Sequence, residues 1–340
     1  MIDEKMIDNS KAQITEYQGA YIIPDEQCLF AFDEKGKFIE YTSKRRLHKK
    51  GYATREDIDP KAAEWETCDE EVLYIGFLRG HWGHFLVDST VRMWALSREV
   101  SKGKKILAKI EGMESFYRQW FALWGIDLDR DVICPSKPTR FSKVLVPDIS
   151  YYPRFFLKKE YIEPFRYVSE TVSATESFPE VYDKLYLSRS RIARGSKQLG
   201  EKYIEELFEK SGYKVLYPEE ISFKEQVWYY SHCREMVATT GTVAHNILFA
   251  KEGTKLVILN RYPETPGHQD IINYASNAEV VEIPVYVKGC DHDNNLMVLT
   301  PELQSFCDKS GIDTSSYDRK KEVLSRLLFR IPKAYKLYWK

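Results

Sequence analysis

Three short stretches combine residue types that can do chemistry. In KLYLSRSRIARGSK (184–197), Arg189, Arg191 and Arg194 follow a short apolar strand and are flanked by lysines. Guanidinium forks match phosphate oxygens bidentately and stay charged at every physiological pH. The cluster is therefore either an anion site or a solvated basic loop. If residues 188–191 stay extended, alternation puts Arg189 and Arg191 on one side, and Arg194 arrives through the turn at Gly195. The second stretch, MVATTGTVAHNILF (236–249), runs from a strand through Thr239-Thr240-Gly241-Thr242 into a helix from about Thr242. A helix start offers unpaired N–H groups and positive potential, and glycine admits a ligand to the backbone. The same residues also serve as an ordinary turn and cap. The third, RGHWGHFLVDSTVRMW (79–94), sets His81, His84 and Asp88 just past a buried strand. His84 and Asp88 are spaced i, i+4. On a helix they share a face, and a carboxylate-oriented imidazole is a general base. In the competing arrangement one histidine caps the helix and Asp88 pairs with Arg92.

These stretches need elements to position them. EVLYIGF (71–77) reads as a buried parallel strand, followed by a helix with Phe85, Val91, Trp94 and Leu96 at helical spacing. The alternation continues with KILAKI (105–110), the helix MESFYRQWFALWG closed by Gly125, the strands VICP and KVLVPD, and a helix from Lys158 to about Thr171. A polar, proline-bearing stretch at 172–181 reads as a linker. A second series then runs strand 184–188, helix 198–211, strand 214–218, a helix opened by a Ser222/Glu225 capping box, strand EMVATT, the helix from Thr242, and the strands KLVILN and VVEIPVYV. Alternating β and α units imply mostly parallel sheets. The expected fold class is α/β, with two doubly wound, Rossmann-like domains whose ligand lies in the crevice at the carboxyl ends of the strands. AYIIPDEQCLFAFDEKGKFIEY (20–41) reads as a β-meander forming an N-terminal arm. The expected division is a β-arm over 1–65, a first domain over 66–175, a second over 176–310, and a C-terminal helix with a basic, aromatic tail over 311–340.

Composition narrows the function. Net charge is −1 over 340 residues, so any anion site is local and a general attraction to nucleic acid is not expected. The opening residues lack a basic start and apolar run, and no window holds the roughly 18–20 apolar residues a membrane span needs, so a cytoplasmic location is expected. Six cysteines without a Cys-x-x-Cys pair fit reduced thiols rather than a zinc site. The triplets Asp127-Leu-Asp129 and Asp291-His-Asp293 admit a different chemistry, in which carboxylates hold Mg²⁺ or Mn²⁺ on a diphosphate. Residues 318–340 mix Lys and Arg with Leu, Phe, Tyr and Trp, a pattern that can rest on anionic lipid or pack back as a terminal helix.

The run from KLYLSRS to EGTKLVIL resembles glycosyltransferase family 61, nucleotide-sugar-dependent transferases that include capsule and polysaccharide biosynthesis proteins. The matching pieces are YLSRS with the later Arg194, YPEEISFKEQ, and TGTVAHNILFA followed by EGTKLVIL; GHFLVDSTVRMWAL resembles the family's His- and Asp-bearing helix. The resemblance implies a GT-B-like architecture, a UDP-sugar donor on the second domain and transfer with inversion. It assigns Arg189 and Arg194 to the donor phosphates, with arginine in place of a metal and no cofactor, and matches Gly241 and Asn246 to the donor loop. Three positions depart from the family's usual His-Gly-Ala-Gly-Leu-Thr-Asn: Thr240 replaces the histidine, Val243 the second glycine and His245 the threonine. These departures bear on donor geometry and sugar identity. Arg191, Thr240, Thr242 and His245 complete the expected donor set, with Tyr217 and Pro218 toward the base and Glu219 or Glu220 toward the ribose hydroxyls. His84 is the expected base, Asp88 its orienter and His81 the reserve. The expected acceptor is a glycan or lipid-linked sugar, with peripheral membrane contact through the tail and no nucleic acid partner. Two alternatives stay open: a metal-dependent GT-A-type transferase, and a non-catalytic binding or assembly subunit suggested by the altered loop.

Overall fold

The computed structural model describes residues 4–26, 28–43, 45–46, 51–52, 54–153, 155–192, 200–263, 267–287, 296–320 and 322–323. Arg194, the Asp291-His-Asp293 triplet and the tail from 324 onward lie outside the described residues. The chain divides into two compact units, Met1–Thr171 and Val172–Lys340.

The first unit is built on a seven-stranded mixed sheet. Its parallel part runs Thr139–Pro147, Glu66–Leu78, Lys105–Ile110 and Val132–Ile133, in that order. Ile14–Gln18 and Tyr21–Asp25 pair antiparallel with Thr139–Pro147, and Cys28–Phe32 closes a hairpin outside Tyr21–Asp25. The expected N-terminal arm is thus part of the sheet, and this unit is mixed rather than doubly wound. The reason lies in the hairpin's apolar face: Ala20, Ile22, Leu29 and Ala31 are fully buried in one cluster with Val72, Tyr74, Leu107 and Val144. Detaching those side chains would return that face to water, at about 25 cal/mol for each Å² exposed.

Between Tyr74 and Gly76 the Glu66–Leu78 strand slips register against Lys105–Ile110, and Gly76 takes φ +92° to make the bulge. The helix expected from Lys158 is a 3₁₀ turn, Lys159–Ile162, running into an α-helix, Glu163–Thr175. That helix occupies the start of the expected linker at 172–181.

The second unit carries a five-stranded, all-parallel sheet in the order Lys214–Leu216, Lys184–Leu187, Glu235–Thr239, Lys255–Asn260, Glu279–Pro284. Leu185, Tyr186, Leu187, Met236, Val237, Ala238 and Leu256 to Leu259 are all fully buried, as expected of strands covered on both faces. The crossovers use Glu201–Lys210, Phe223–His232 and Gly267–Ser276. Ser222 accepts the Glu225 N–H at 3.2 Å, giving one half of the capping box.

This strand order is 2-1-3-4-5, so the chain reverses direction of travel across the sheet between Lys184–Leu187 and Glu235–Thr239. Ligands in open parallel sheets bind at such a switch point, outside the carboxyl ends of the strands. The loops there carry Arg189 and Gly241.

Among the described residues Cys28, Cys68, Cys134, Cys233 and Cys307 form no disulfide. Among the described residues no helix is long and apolar enough to cross a membrane. Asp127 caps the Leu128–Asp131 turn, and Asp129 forms a two-pronged ion pair with Arg118. Both carboxylates of that triplet therefore serve the local fold.

Candidate functional site

The loop after Lys184–Leu187 is held by two buried carboxylates one helical turn apart on Glu201–Lys210. Ser188 and Ser190 donate their hydroxyls to Glu205 Oε2 at 2.5 and 2.7 Å, and the Arg189 N–H donates to Glu201 Oε1 at 2.9 Å. Burial pushes the Glu201 carboxyl up to about 7, against the Arg189 N–H and the charges of Arg189 and Arg261. The backbone turns at this point, since the Ile192 N–H bonds the Arg189 carbonyl. The extended alternation expected for Arg189 and Arg191 is therefore absent. Arg191 instead binds Glu220 at 2.8 Å and lies 3.6 Å over the Tyr217 ring. Tyr217 donates its hydroxyl to Glu205 Oε1 at 2.5 Å, and burial followed by that bond pushes its pKa up to about 12. Arg191, Tyr217 and Glu220 thus form one layered group beside the loop.

The adjacent loop, after Glu235–Thr239, presents a turn rather than the expected α-helix. Residues 241–243 turn into a six-residue 3₁₀ helix, Ala244–Phe249. Bonds from the Ala244, His245 and Asn246 N–H groups to carbonyls three residues back wind it tighter than an α-helix. So short a helix sums little dipole, and the anion-binding capacity resides in individual N–H groups. Those of Gly241, Thr242 and Val243 make no hydrogen bond among the described residues.

Gly241 sits at φ +119°, a conformation that side chains other than glycine's strain to adopt. In the direction a Cβ would take lie Arg261 Nη2 at 3.4 Å and Arg189 Nη1 at 3.8 Å. Two guanidinium groups from two strand ends therefore converge on one glycine. Arg261 is held by the Thr240 carbonyl, to which Nε and Nη2 donate at 3.2 and 2.6 Å. It is buried, and burial first, then the Arg189 charge, lowers its pKa. A second positive charge beside the buried Arg261 is costly, and a bound anion would offset that cost.

The other expected donor residues take structural contacts. Thr240 donates to Asn260 Oδ1 and the Leu259 carbonyl, tying the loop to the next strand. Asn246 is buried against the Tyr230 hydroxyl at 3.5 Å. His245 is buried with neither ring nitrogen hydrogen-bonded among the described residues, and burial, with His268 nearby, lowers its pKa to about 3. Its ring is neutral at physiological pH.

In the first unit, the segment past Glu66–Leu78 changes pitch twice: an α turn, Trp82–His84, a π-helical turn, Phe85–Ser89, and a 3₁₀ helix, Thr90–Ser97. Single π turns recur at functional sites. Phe85 anchors this one, fully buried with its ring 4.7 Å from Phe116 and 4.8 Å from Trp120. His84 Nδ1 lies 3.0 Å from Asp88 Oδ2, and Arg79 Nη1 stands 4.0 Å from the same oxygen. Arg92 does not take Asp88; it donates to the Pro147 and Tyr41 carbonyls at 3.0 and 2.5 Å. With Nδ1 on the carboxylate, His84 presents Nε2 as its remaining proton-accepting atom, and its side chain is about one-third exposed. The exposed His81 stacks at a tilt, its ring 5.1 Å from that of His84.

A family model, Glycosyltransferase 61, matches residues 82–257, just over half of the chain. The chain belongs to glycosyltransferase family 61. The matched span takes in the His84–Asp88 pair and the Arg189 and Gly241 loops. No curated protein matches the chain.

Sequence reasoning missed Arg261, Glu201 and Glu205. Arg261 lies beyond the family match, yet its position was available: it is the first residue after KLVILN, at the same sheet edge as Arg189 and Gly241. The two glutamates read as the polar side of an amphipathic helix, and nothing in their spacing marks them as buried.

Proposed function

We propose that this glycosyltransferase takes a UDP-sugar as donor and transfers the sugar, with inversion, to a hydroxyl of a glycan or lipid-linked acceptor in cell-surface polysaccharide synthesis. The proposal includes a GT-B-type fold, a metal-independent reaction, and a location at the cytoplasmic face of the membrane with the basic tail against lipid. The observation that carries it is the convergence of Arg189 and Arg261 on Gly241, beside three N–H groups that have no partner among the described residues, at the switch point of a parallel sheet.

As the glycosidic bond breaks, charge accumulates on the departing diphosphate. Cations and N–H donors already in place stabilise that charge more in the transition state than in the ground state. On the acceptor side, His84 Nε2 takes the hydroxyl proton as oxygen attacks the anomeric carbon, and Asp88 on Nδ1 stabilises the imidazolium that results. Arg194 joins Arg189 on the phosphates, and Tyr217 and Glu220 serve the nucleoside side.

A calorimetric screen against UDP-, GDP-, CMP- and dTDP-sugars tests the donor class. UDP-sugars should bind, and Arg189→Ala should weaken UDP by about tenfold or more. Equal binding of all four nucleotides, or none, refutes the reading. One observation favours the non-catalytic assembly subunit: Thr240, where the family places histidine, spends its hydroxyl on the sheet. Such a subunit would bind a nucleotide-sugar and neither hydrolyse nor transfer it.

A further inference from the structure

A polar cavity, of about 460 Å³, opens in the first unit, well inside the size range of small-ligand pockets. Tyr17, Phe38 and Tyr41 supply aromatic surface, Asp33 and Asp148 supply carboxylates, and Arg92 lies against it from the interior. Asp148 follows the Thr139–Pro147 strand and Arg79 follows Glu66–Leu78, its parallel neighbour, so both stand at the carboxyl edge of the sheet.

Arg92 points to a ligand. It is 5% exposed, yet no carboxylate lies within ion-pair distance among the described residues, and its Nη1 makes no hydrogen bond there. Its two hydrogen bonds are to main-chain carbonyls, and its guanidinium lies 5.3 Å over the Tyr74 ring. Tyr41, which receives one of them, holds φ +62° without being glycine, a strained conformation that the Arg92 bond helps to fix. Arg92 and Tyr41 also line a smaller cavity, of about 30 Å³, whose wall includes Arg79 and Asp88. The groove and this cavity share Arg92 and Tyr41, and the cavity's wall holds the carboxylate that orients His84.

The wall chemistry selects the occupant. Asp33, Asp148 and Glu40 outnumber the cations Lys37 and Arg92 in the wall and so disfavour a phosphate or nucleotide, and an apolar ligand would strip these charges of water without replacing their hydrogen bonds. A neutral polyol satisfies both signs, since each hydroxyl donates to a carboxylate or accepts from a guanidinium, and a pyranose presents an apolar C–H face to an aromatic ring. We infer that this groove binds the neutral sugar chain of the acceptor and directs its terminal hydroxyl toward the His84–Asp88 pair. The inference rests on the transferase reading for the word acceptor, and on the groove alone for carbohydrate binding.

The test uses the full chain without donor. Saturation-transfer NMR is recorded with a panel of p-nitrophenyl hexosides and neutral di- and trisaccharides, in parallel with UDP calorimetry. At least one carbohydrate should receive saturation. Tyr17→Ala should weaken it about tenfold through loss of a stacking ring, and Thr15→Trp, at an exposed strand position lining the groove, should block it without touching the core. UDP affinity should not move in either variant. Absence of saturation across the panel, or an unchanged affinity in Thr15→Trp, overturns the groove assignment even if UDP binds. Carbohydrate binding that Thr15→Trp abolishes, in a chain that binds no nucleotide, leaves the groove standing and overturns the donor proposal.

Discussion

Replacing Arg261 by methionine separates an arginine that serves an anion from one that serves the fold. In the unliganded protein the substitution removes a buried cation whose charge is disfavoured by burial and by Arg189. It also strips the Thr240 carbonyl of two donors. The first effect stabilises and the second destabilises, by about 1–3 kcal/mol for an unsatisfied buried acceptor, so the net change should be small. The complex has no such compensation. Nη2 lies 3.4 Å from the Cβ direction of Gly241, on the approach a diphosphate would use, and a charge-assisted hydrogen bond there contributes about 1.5–3 kcal/mol. UDP should therefore bind about ten- to hundredfold more weakly, while the melting temperature without ligand barely moves. Arg261→Lys should fall between, because an ammonium keeps the charge but cannot reproduce the fork on the Thr240 carbonyl. Calorimetry at two ionic strengths reads both terms, since losing a phosphate contact also flattens the salt dependence. An Arg261→Met protein that binds UDP within about twofold of the wild type would refute the convergence argument, whatever its stability.

Two further outcomes follow from the same geometry. Glu201→Gln keeps an acceptor for the Arg189 N–H but cannot titrate. The wild-type carboxyl is raised from 4.5 to about 7 on folding, so its stabilisation is full below pH 4.5 and is lost as pH rises through 7. The wild-type protein should lose about 3 kcal/mol more than Glu201→Gln between pH 4.5 and 8 in urea titrations, and parallel curves would show that Glu201 stays ionised. His84→Ala should lower transfer by about 10²–10⁴ with UDP affinity unchanged, and Asp88→Asn should lower kcat without raising the donor KM; retained activity in His84→Ala would remove it as the base.

What the sequence made legible follows from how strongly each element was constrained. Strands buried on both faces must be apolar throughout, so KLYL, EMVAT and KLVILN stand out, and their order placed Arg189 and Gly241 at one sheet edge. The i, i+4 spacing of His84 and Asp88 brings them together despite the π turn between, because the side chains still meet across roughly one turn. The pitch changes were illegible for the same reason: α, π and 3₁₀ turns demand nearly the same apolar spacing over so few residues, and tertiary packing around Phe85 decides among them. The N-terminal hairpin misled because alternation reports that one face is buried and is silent on which sheet buries it. Arg191 misled because its extension depended on Leu187 not being the strand's last residue. Arg261 was hidden by its ordinary company, a lone arginine after a strand, and only the position of that strand beside Glu235–Thr239 turns it toward the glycine. A cluster of this kind is therefore a property of strand order. Motif spacing located Arg189 and Gly241 within their own loops, and it lost Arg261, which the sheet brings in from the end of the neighbouring strand.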